Sequence, residues 1–318
     1  MIIEQIAAGL GLPVKYVVKL SNGASHHYKS YQIRKKSGGF RTIHHPSRRL
    51  KAIQTWILRN ILSSFPVHDA AVAYRKGKST FDNASVHASA RFLLRLDLEA
   101  FFPSIVVDDF RRYVETYRTL FDGWTAEDYR CVSGLLFRAG QLTIGAPTSP
   151  TLSNILCAGI DVAIAEMSRI KKIRYTRYAD DLFFSGDTPN VLGTVPSEVE
   201  AILRASVIPQ NLRLNRKKTV FSSKKNNRQV TGITLGSDGI PRVPRSYKRL
   251  IRSLIHRFGL LSDKEKISLA GMISYVVGFE PSFMNGLVKK YGFDTYQLVT
   301  QLKTLEERQE IHKKSRPR

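Results

Sequence analysis

Two adjacent aspartates, Asp180 and Asp181, lie within RYADDLFFSG (177–186), between Tyr178-Ala179 and the apolar run Leu182-Phe183-Phe184. Burying like charges side by side is costly unless something positive sits between them. A third carboxylate, Asp97, closes the apolar segment RFLLRLD. If that segment pairs beside the one carrying the aspartates, the three carboxylates converge on one spot. Three hard oxygen donors with few other ligands suit Mg²⁺, which keeps water and substrate phosphate in its shell. Two such ions about 3.5–4 Å apart activate an attacking hydroxyl and stabilise a departing pyrophosphate. The bland alternative is a turn whose charges are met by Arg177 and the basic side chains nearby, and the apolar flanks weigh against it.

Positioning these groups requires particular elements. In an extended strand Asp180 and Asp181 would face opposite sides of a sheet. A tight turn at Ala179-Asp180, joining a strand over Lys172–Tyr178 to one over Leu182–Ser185, would instead present both at one hairpin tip. Asp97 ends a further strand. Short helices are expected over Ile2–Gly9 and Val14–Leu20, then a hairpin turning at Ser37-Gly38-Gly39. Apolar residues at Leu50, Ile53, Ile57, Leu58 and Ile61 predict a helix over 48–62. Further helices are expected at roughly 106–118, 126–138, 149–168 and from about Glu198. RQVTGITL (228–235) reads as a strand, and the chain from Val243 is mostly helical. This order predicts an α+β domain with a helical appendage.

The 318 residues suffice for one large domain or two ordinary ones, and 42% hydrophobic content is that of a globular protein. Fifty Lys plus Arg against 26 Asp plus Glu give a net charge of +24. Such an excess calls for a polyanionic partner, nucleic acid first. No apolar run approaches the length of a membrane span, and the N-terminus lacks a basic n-region, so the expectation is a cytoplasmic protein without a membrane partner. Cys131 and Cys157 lie in apolar helical contexts without metal-site spacing and read as buried thiols, with a disulfide as the alternative.

The motifs resemble a known family. YADD with its apolar flanks resembles motif C of reverse transcriptases, LRLDLEAFFPSI motif A, and GAPTSPTLSN (145–154) motif B. YQIRKKSGGFRTIHHP and YRKGKSTFDNA resemble the fingers motifs, LRLNRKKT motif D, and QVTGITLGSDG the final palm motif. The matches fall in family order over about residues 28–240. NASVH, with Asn83 and His87, matches the Asn-Ala-x-x-His element of retron reverse transcriptases, and Val230-Thr231-Gly232 matches their second signature. Read singly, Asn83 could merely cap a helix.

The resemblance implies a right-hand polymerase fold: fingers over 1–95, a palm with an antiparallel sheet and helices over 96–235, and a helical thumb over 236–318. It implies two Mg²⁺ ions on Asp97, Asp180 and Asp181. Phe102 corresponds to the aromatic steric gate that excludes a ribose 2′-hydroxyl, whereas Phe101 reads as core. Arg41 is placed to contact triphosphate oxygens, with Lys35 or Lys36 adding charge. Gly145 and Pro147 would let backbone pass close to template and nucleotide. Lys218 matches motif D and could give a proton to pyrophosphate, with Lys217 beside it. One departure stands out: Leu-Thr-Ile-Gly (142–145) replaces the family's usual Leu-Pro-Gln-Gly, so Ile144 cannot make the glutamine's polar contacts.

Arg245, Lys248, Arg249 and Arg252 form a cationic stripe opposite Leu250, Ile251, Leu254, Ile255 and Phe258, as expected of a thumb helix tracking an A-form-like duplex. The implied function is RNA-directed DNA synthesis on a structured non-coding RNA that serves as template and as primer, through an internal 2′-hydroxyl. The product is a branched RNA–DNA molecule (msDNA), and the partners are deoxynucleoside triphosphates and an effector protein in an antiphage defence unit. The competing readings are a free-standing intron-related or diversity-generating reverse transcriptase, and a non-catalytic RNA-binding scaffold. All three carboxylates being present counts against the scaffold.

Overall fold

A computed structural model describes residues 1–34 and 38–292, so Lys35, Lys36 and the tail beyond 292 lie outside the described residues. The chain divides into two units, Met1–Lys225 and Asn226–Arg318.

In the first unit, glycine and proline punctuate the N-terminal helices. Helix α1 (Ile2–Leu10) stops on Gly11 in the left-handed region (φ 63°), and Pro13 precedes α2 (Val14–Asn22). Strands β1 (Tyr28–Arg34) and β2 (Phe40–Pro46) form the expected antiparallel hairpin. Ser47 caps α3 (Arg48–Asn60), whose Leu50, Ile53 and Ile57 are fully buried. A capping box between Ser79 and Asp82 opens α4 (Thr80–His87). Then come β3 (Phe92–Asp97), the single turn α5 (Phe101–Ser104), α6 (Val107–Thr116) and α7 (Ala126–Leu136). The helix expected over 149–168 is two, α8 (Ser149–Leu156) and α9 (Ala158–Ile170), meeting at 53° around buried Cys157. Lys172 adopts φ 54° in the turn after α9, so β4 runs only over Arg174–Tyr178. It is followed by β5 (Asp181–Gly186), α10 (Val195–Ala205) and β6 (Val220–Ser223).

The central sheet is antiparallel in the order β4-β5-β3-β6. Leu182, Phe183 and Phe184 are at most 1% exposed, so both faces of β5 are covered, which explains the unbroken apolar run. Burial of such side chains contributes about 1.5–3 kcal/mol each, which offsets the placing of carboxylates at the strand end. Cys131 and Cys157 are buried free thiols, as expected. No single described helix is long and apolar enough to cross a membrane; the bent pair α8–α9 passes on length and composition.

In the second unit, RQVTGITL is not one strand. Thr231 (φ 48°) and Gly232 (φ 81°) turn the chain tightly, so β7 (Arg228–Val230) pairs back on β8 (Ile233–Leu235), and β9 (Pro241–Arg242) joins them. Positive φ at both central residues matches the twist of a two-residue hairpin. Helices α11 (Arg245–His256), α12 (Asp263–Phe279) and α13 (Ser282–Tyr291) complete the unit.

Candidate active site

The sheet register brings the carboxylates together. Asp97, last in β3, stands directly opposite Asp181, first in β5. Asp180 sits in the turn just before, where its carbonyl accepts from the Leu98 N–H at 2.8 Å. Ala179 takes the left-handed conformation (φ 58°) that makes this turn tight enough for the hairpin tip. Burial raises the pKa of Asp180, and the Asp97 charge adds to it. Burial, then the Asp180 charge, push Asp181 up to about 6. Burial, which sets both shifts, and the mutual repulsion that adds to them make the uncompensated charges costly, and the donor set of three carboxylates fits a hard divalent cation. The side chains are not already in ligating array: among the described residues no three His, Cys, Asp or Glu groups stand close enough to hold an ion. Asp97 instead accepts at both oxygens, 3.0 and 2.9 Å, from the Lys218 ammonium.

Arg177 does not neutralise the aspartates. Its side chain points to the opposite face of the sheet, into the core, where it binds Asp161 of α9 through Nε (2.8 Å) and Nη2 (2.6 Å). Its Nη1 donates to Asn154 Oδ1 at 3.0 Å and to the Ala179 carbonyl at 3.4 Å. The guanidinium thus holds the turn that carries Asp180.

Helix α4 covers the other face, beside Asp181. Asn83 is no cap, since Ser79 caps; it and His87, one turn apart, are fully buried. Thr176 Oγ1 lies 2.5 Å from Asn83 Oδ1 and 2.7 Å from His87 Nε2, and His87 Nδ1 lies 2.8 Å from Ser185 Oγ. With Thr176 donating to Asn83, its oxygen accepts from His87 Nε2–H, which leaves Nδ1 to accept from Ser185. Burial, and secondarily the Arg174 charge, lower the His87 pKa to about 3, so the ring is neutral. Asn83 and His87 therefore clamp β4 and β5 behind the hairpin tip.

A cavity of about 650 Å³ opens beside the carboxylates. Arg41, Phe102, Asp97, Asp180, Lys218 and Ile144 all line it. Phe101 is buried as expected, and Phe102 packs on it at 5.3 Å between ring centres. Gly145 has φ 117°, and a Cβ there would meet the His44 carbonyl oxygen at 2.5 Å. The close backbone approach at this glycine is thus to β2, whose His44 N–H donates to Ile144 O at 2.8 Å. Neither Gly145 nor Pro147 lines the cavity. Tyr74, the first residue of YRKGKSTFDNA, was given no role from the sequence. It lines the cavity, 6.4 Å from the Phe102 ring, with φ 63°, a conformation costly for a bulky residue and concentrated at functional sites. Its place at the head of that fingers motif was the signal that could have found it.

In the second unit, Lys248 pairs with Glu280 at 2.8 Å, and Arg252 lies 5.2 Å over the Phe283 ring. Arg245 and Arg249 stay exposed without an acidic partner among the described residues. Leu250, assigned to the apolar side, is 46% exposed; it follows Arg249 directly and shares its outward side. Val230-Thr231-Gly232 forms the β7–β8 turn, with Val230 buried against Ile233.

Paired carboxylates at the mouth of a nucleotide-sized cavity, on a four-stranded antiparallel sheet, are features of a nucleotidyl-transferring palm. Residues 33–235 match the reverse transcriptase (RNA-dependent DNA polymerase) family. The chain is 37% identical over 295 residues to the Retron Ec83 reverse transcriptase of Escherichia coli, covering 89% of this chain and 92% of that protein. It is 34% identical over 277 residues to the Retron Ec73 reverse transcriptase of the same organism (83% and 86% covered). With the Retron Mx65 reverse transcriptase of Myxococcus xanthus the identity is 31% over 307 residues (90% and 70%). The chain belongs to the retron-type reverse transcriptases and is an RNA-directed DNA polymerase, with the catalytic metal requirement general to such enzymes. Telomerase from Candida albicans, solved with a TWJ fragment of telomeric RNA, is similar at TM-score 0.50 and 12% identity, covering 87% of this chain and 59% of that one, a likeness of fold alone.

Proposed function

We propose that this enzyme copies a structured non-coding RNA into DNA from an internal 2′-hydroxyl of the same RNA, leaving a branched RNA–DNA molecule, msDNA. The observation that carries the chemistry is the Asp97–Asp181 pairing across β3 and β5, with Asp180 in the adjoining turn. The kinship to retron reverse transcriptases over nearly the whole chain supports the RNA and product class. On this reading fingers, palm and thumb span 1–95, 96–235 and 236–318, and the enzyme works in the cytoplasm with an effector protein in antiphage defence.

Asp97, Asp180 and Asp181 are the groups that would hold two Mg²⁺ ions. Bound there, the ions would lower the pKa of the attacking hydroxyl and neutralise the leaving pyrophosphate. The chain's own residues supply the rest. Arg41, whose charge opposes the burial-driven rise in the Asp180 pKa, faces the triphosphate, and Lys35 and Lys36, close to it in sequence, would add charge. Phe102 sets its ring under the sugar. The hydroxyl gives up its proton to solvent as its oxygen bonds the α-phosphorus, the bond from that phosphorus to the bridging β-phosphate oxygen breaks, and Lys218 gives the departing oxygen a proton. Gly145, with Pro147 just before α8, would act on template and nucleotide through the seating of β2 rather than by lining the cavity. Arg245 and Arg249, with Lys248 and Arg252 behind them, offer charge to duplex phosphates.

The test is Asp180→Asn, expected to abolish Mg²⁺-dependent DNA synthesis while RNA binding persists. Undiminished synthesis refutes the site. A discrete DNA recovered with the protein, surviving ribonuclease but changing mobility after it, supports the branched product, and RNA alone counts against it.

A further inference from the structure

A second groove, of about 620 Å³, runs along α1 and α3 and shares no lining residue with the catalytic cavity. Its wall is the outward side of α3, opposite the buried Leu50, Ile53 and Ile57. Arg48, Lys51, Thr55 and Arg59 recur there at helical spacing, and the three cations are exposed. Arg48 and Arg59 lie about 16 Å apart along the axis. None of the three has an acidic partner among the described residues. Before Asp69 the sequence has one acidic residue, Glu4, and it is paired with the Met1 amino group at 3.2 Å. Between the cations sits Trp56, half-buried, its indole seated where Gly9 of α1 has no Cβ. The groove continues past Leu10 and Ala52 to Arg49, stacked 5.7 Å over the Tyr16 ring.

We propose that this groove holds an unpaired segment of RNA, with phosphates on Arg48, Lys51 and Arg59 and a base against Trp56. Aromatic faces between cations take single strands, because only an unstacked base offers its face. Thr55 Oγ1 donates to the Lys51 carbonyl at 2.7 Å and Asn60 Nδ2 to the Trp56 carbonyl at 2.8 Å. With its one O–H spent, Thr55 can only accept, and the Asn60 amide keeps its oxygen and one N–H, so both would take a 2′-hydroxyl, which favours RNA. The proposal rests on the reading that a structured RNA is the enzyme's partner, and it gives that RNA a holding site distinct from the catalytic cavity.

The protein has two tryptophans, Trp56 and Trp124. In the full chain carrying Trp124→Phe, emission reports Trp56 alone. Titration with a short oligouridylate is expected to quench that emission saturably. Combining Arg48→Ala, Lys51→Ala and Arg59→Ala is expected to lower the slope of log affinity against log salt by about 2, at about 0.7 for each phosphate no longer neutralised. Emission unchanged while anisotropy reports oligouridylate binding, or an unaltered slope in the combined variant, overturns the proposal. Equal quenching by oligothymidylate overturns the choice of RNA, and equal quenching by polyglutamate overturns nucleic acid altogether. Asp180→Asn in the same background is expected to keep the quench, so failure of the catalytic reading and failure of this one are read separately.

Discussion

Replacing Arg177 by methionine removes a guanidinium whose side chain is 1% exposed and leaves Asp161, 0% exposed, without its cation. Asp161 would keep only the Tyr175 hydroxyl, at 2.8 Å. Asn154 Oδ1 and the Ala179 carbonyl would lose a donor as well. Breaking a buried pair by removing one partner costs about 3–5 kcal/mol, because the remaining charge is neither solvated nor paired. For a unit of this size that corresponds to a fall in Tm of about 6–20 °C. Chemical denaturation and thermal melting of the full chain measure it. The double variant Arg177→Met with Asp161→Leu removes both charges and is expected to recover most of the loss. Arg177→Lys keeps the charge but not the fork, so it should melt between the two and still lose DNA synthesis, since the guanidinium's bond to the Ala179 carbonyl is then lost. A single variant costing under about 1 kcal/mol, or a double variant no better than the single, refutes the reasoning.

The neutral, buried His87 makes stability depend on pH. Its folded pKa, about 3, lies below the ordinary 6.5, so the unfolded chain binds the extra proton. Its contribution is complete above pH 6.5 and declines as pH falls toward 3, with about 2 kcal/mol lost by pH 5. Denaturant melts of wild type and His87→Gln across that range should show a narrowing gap as pH falls, and a constant gap contradicts the assignment. Phe102→Ala opens the space under the sugar and should raise the use of ribonucleotides relative to deoxynucleotides about 10–200-fold, measured by primer extension. An unchanged ratio returns Phe102 to the core. Lys218→Met should lower kcat about 10²–10⁴-fold with little change in the KM for nucleotide, and a change in KM alone assigns Lys218 to binding.

The carboxylates were legible because each stands at the boundary of a regular element: Asp97 after an apolar strand, Asp180 and Asp181 at a change of pattern. Their convergence followed from one pairing, β3 on β5. Other features left little or no local mark. The break at Cys157 carries neither Gly nor Pro, and Thr231-Gly232 turns a segment whose composition reads as strand. Lys248 finds Glu280 across 32 positions of sequence, so its inward turn could not be read from the α11 stripe. Tyr74 owes its conformation to tertiary context. Asn83 and His87 were legible as a pair, but their task was not, since Thr176 and Ser185 lie some ninety residues away.

Those distant polar contacts answer a problem that the apolar pattern leaves open. A strand buried on one face has its register fixed by alternation, because a slip of one residue exposes its apolar set. In β5 both faces are buried, so alternation carries no such information. Polar side chains carry it instead. On one face of β4, Thr176 meets Asn83 and His87; on the other, Arg177 meets Asp161 and Asn154. A slip of one residue would send the guanidinium toward the neutral imidazole and leave Asp161 facing a hydroxyl. Each mismatch strands a buried donor or charge, costing about 1–3 kcal/mol or more. The pairs on the two faces of β4 therefore fix the register of the hairpin, and with it the position of Asp181 opposite Asp97 on which the chemistry depends.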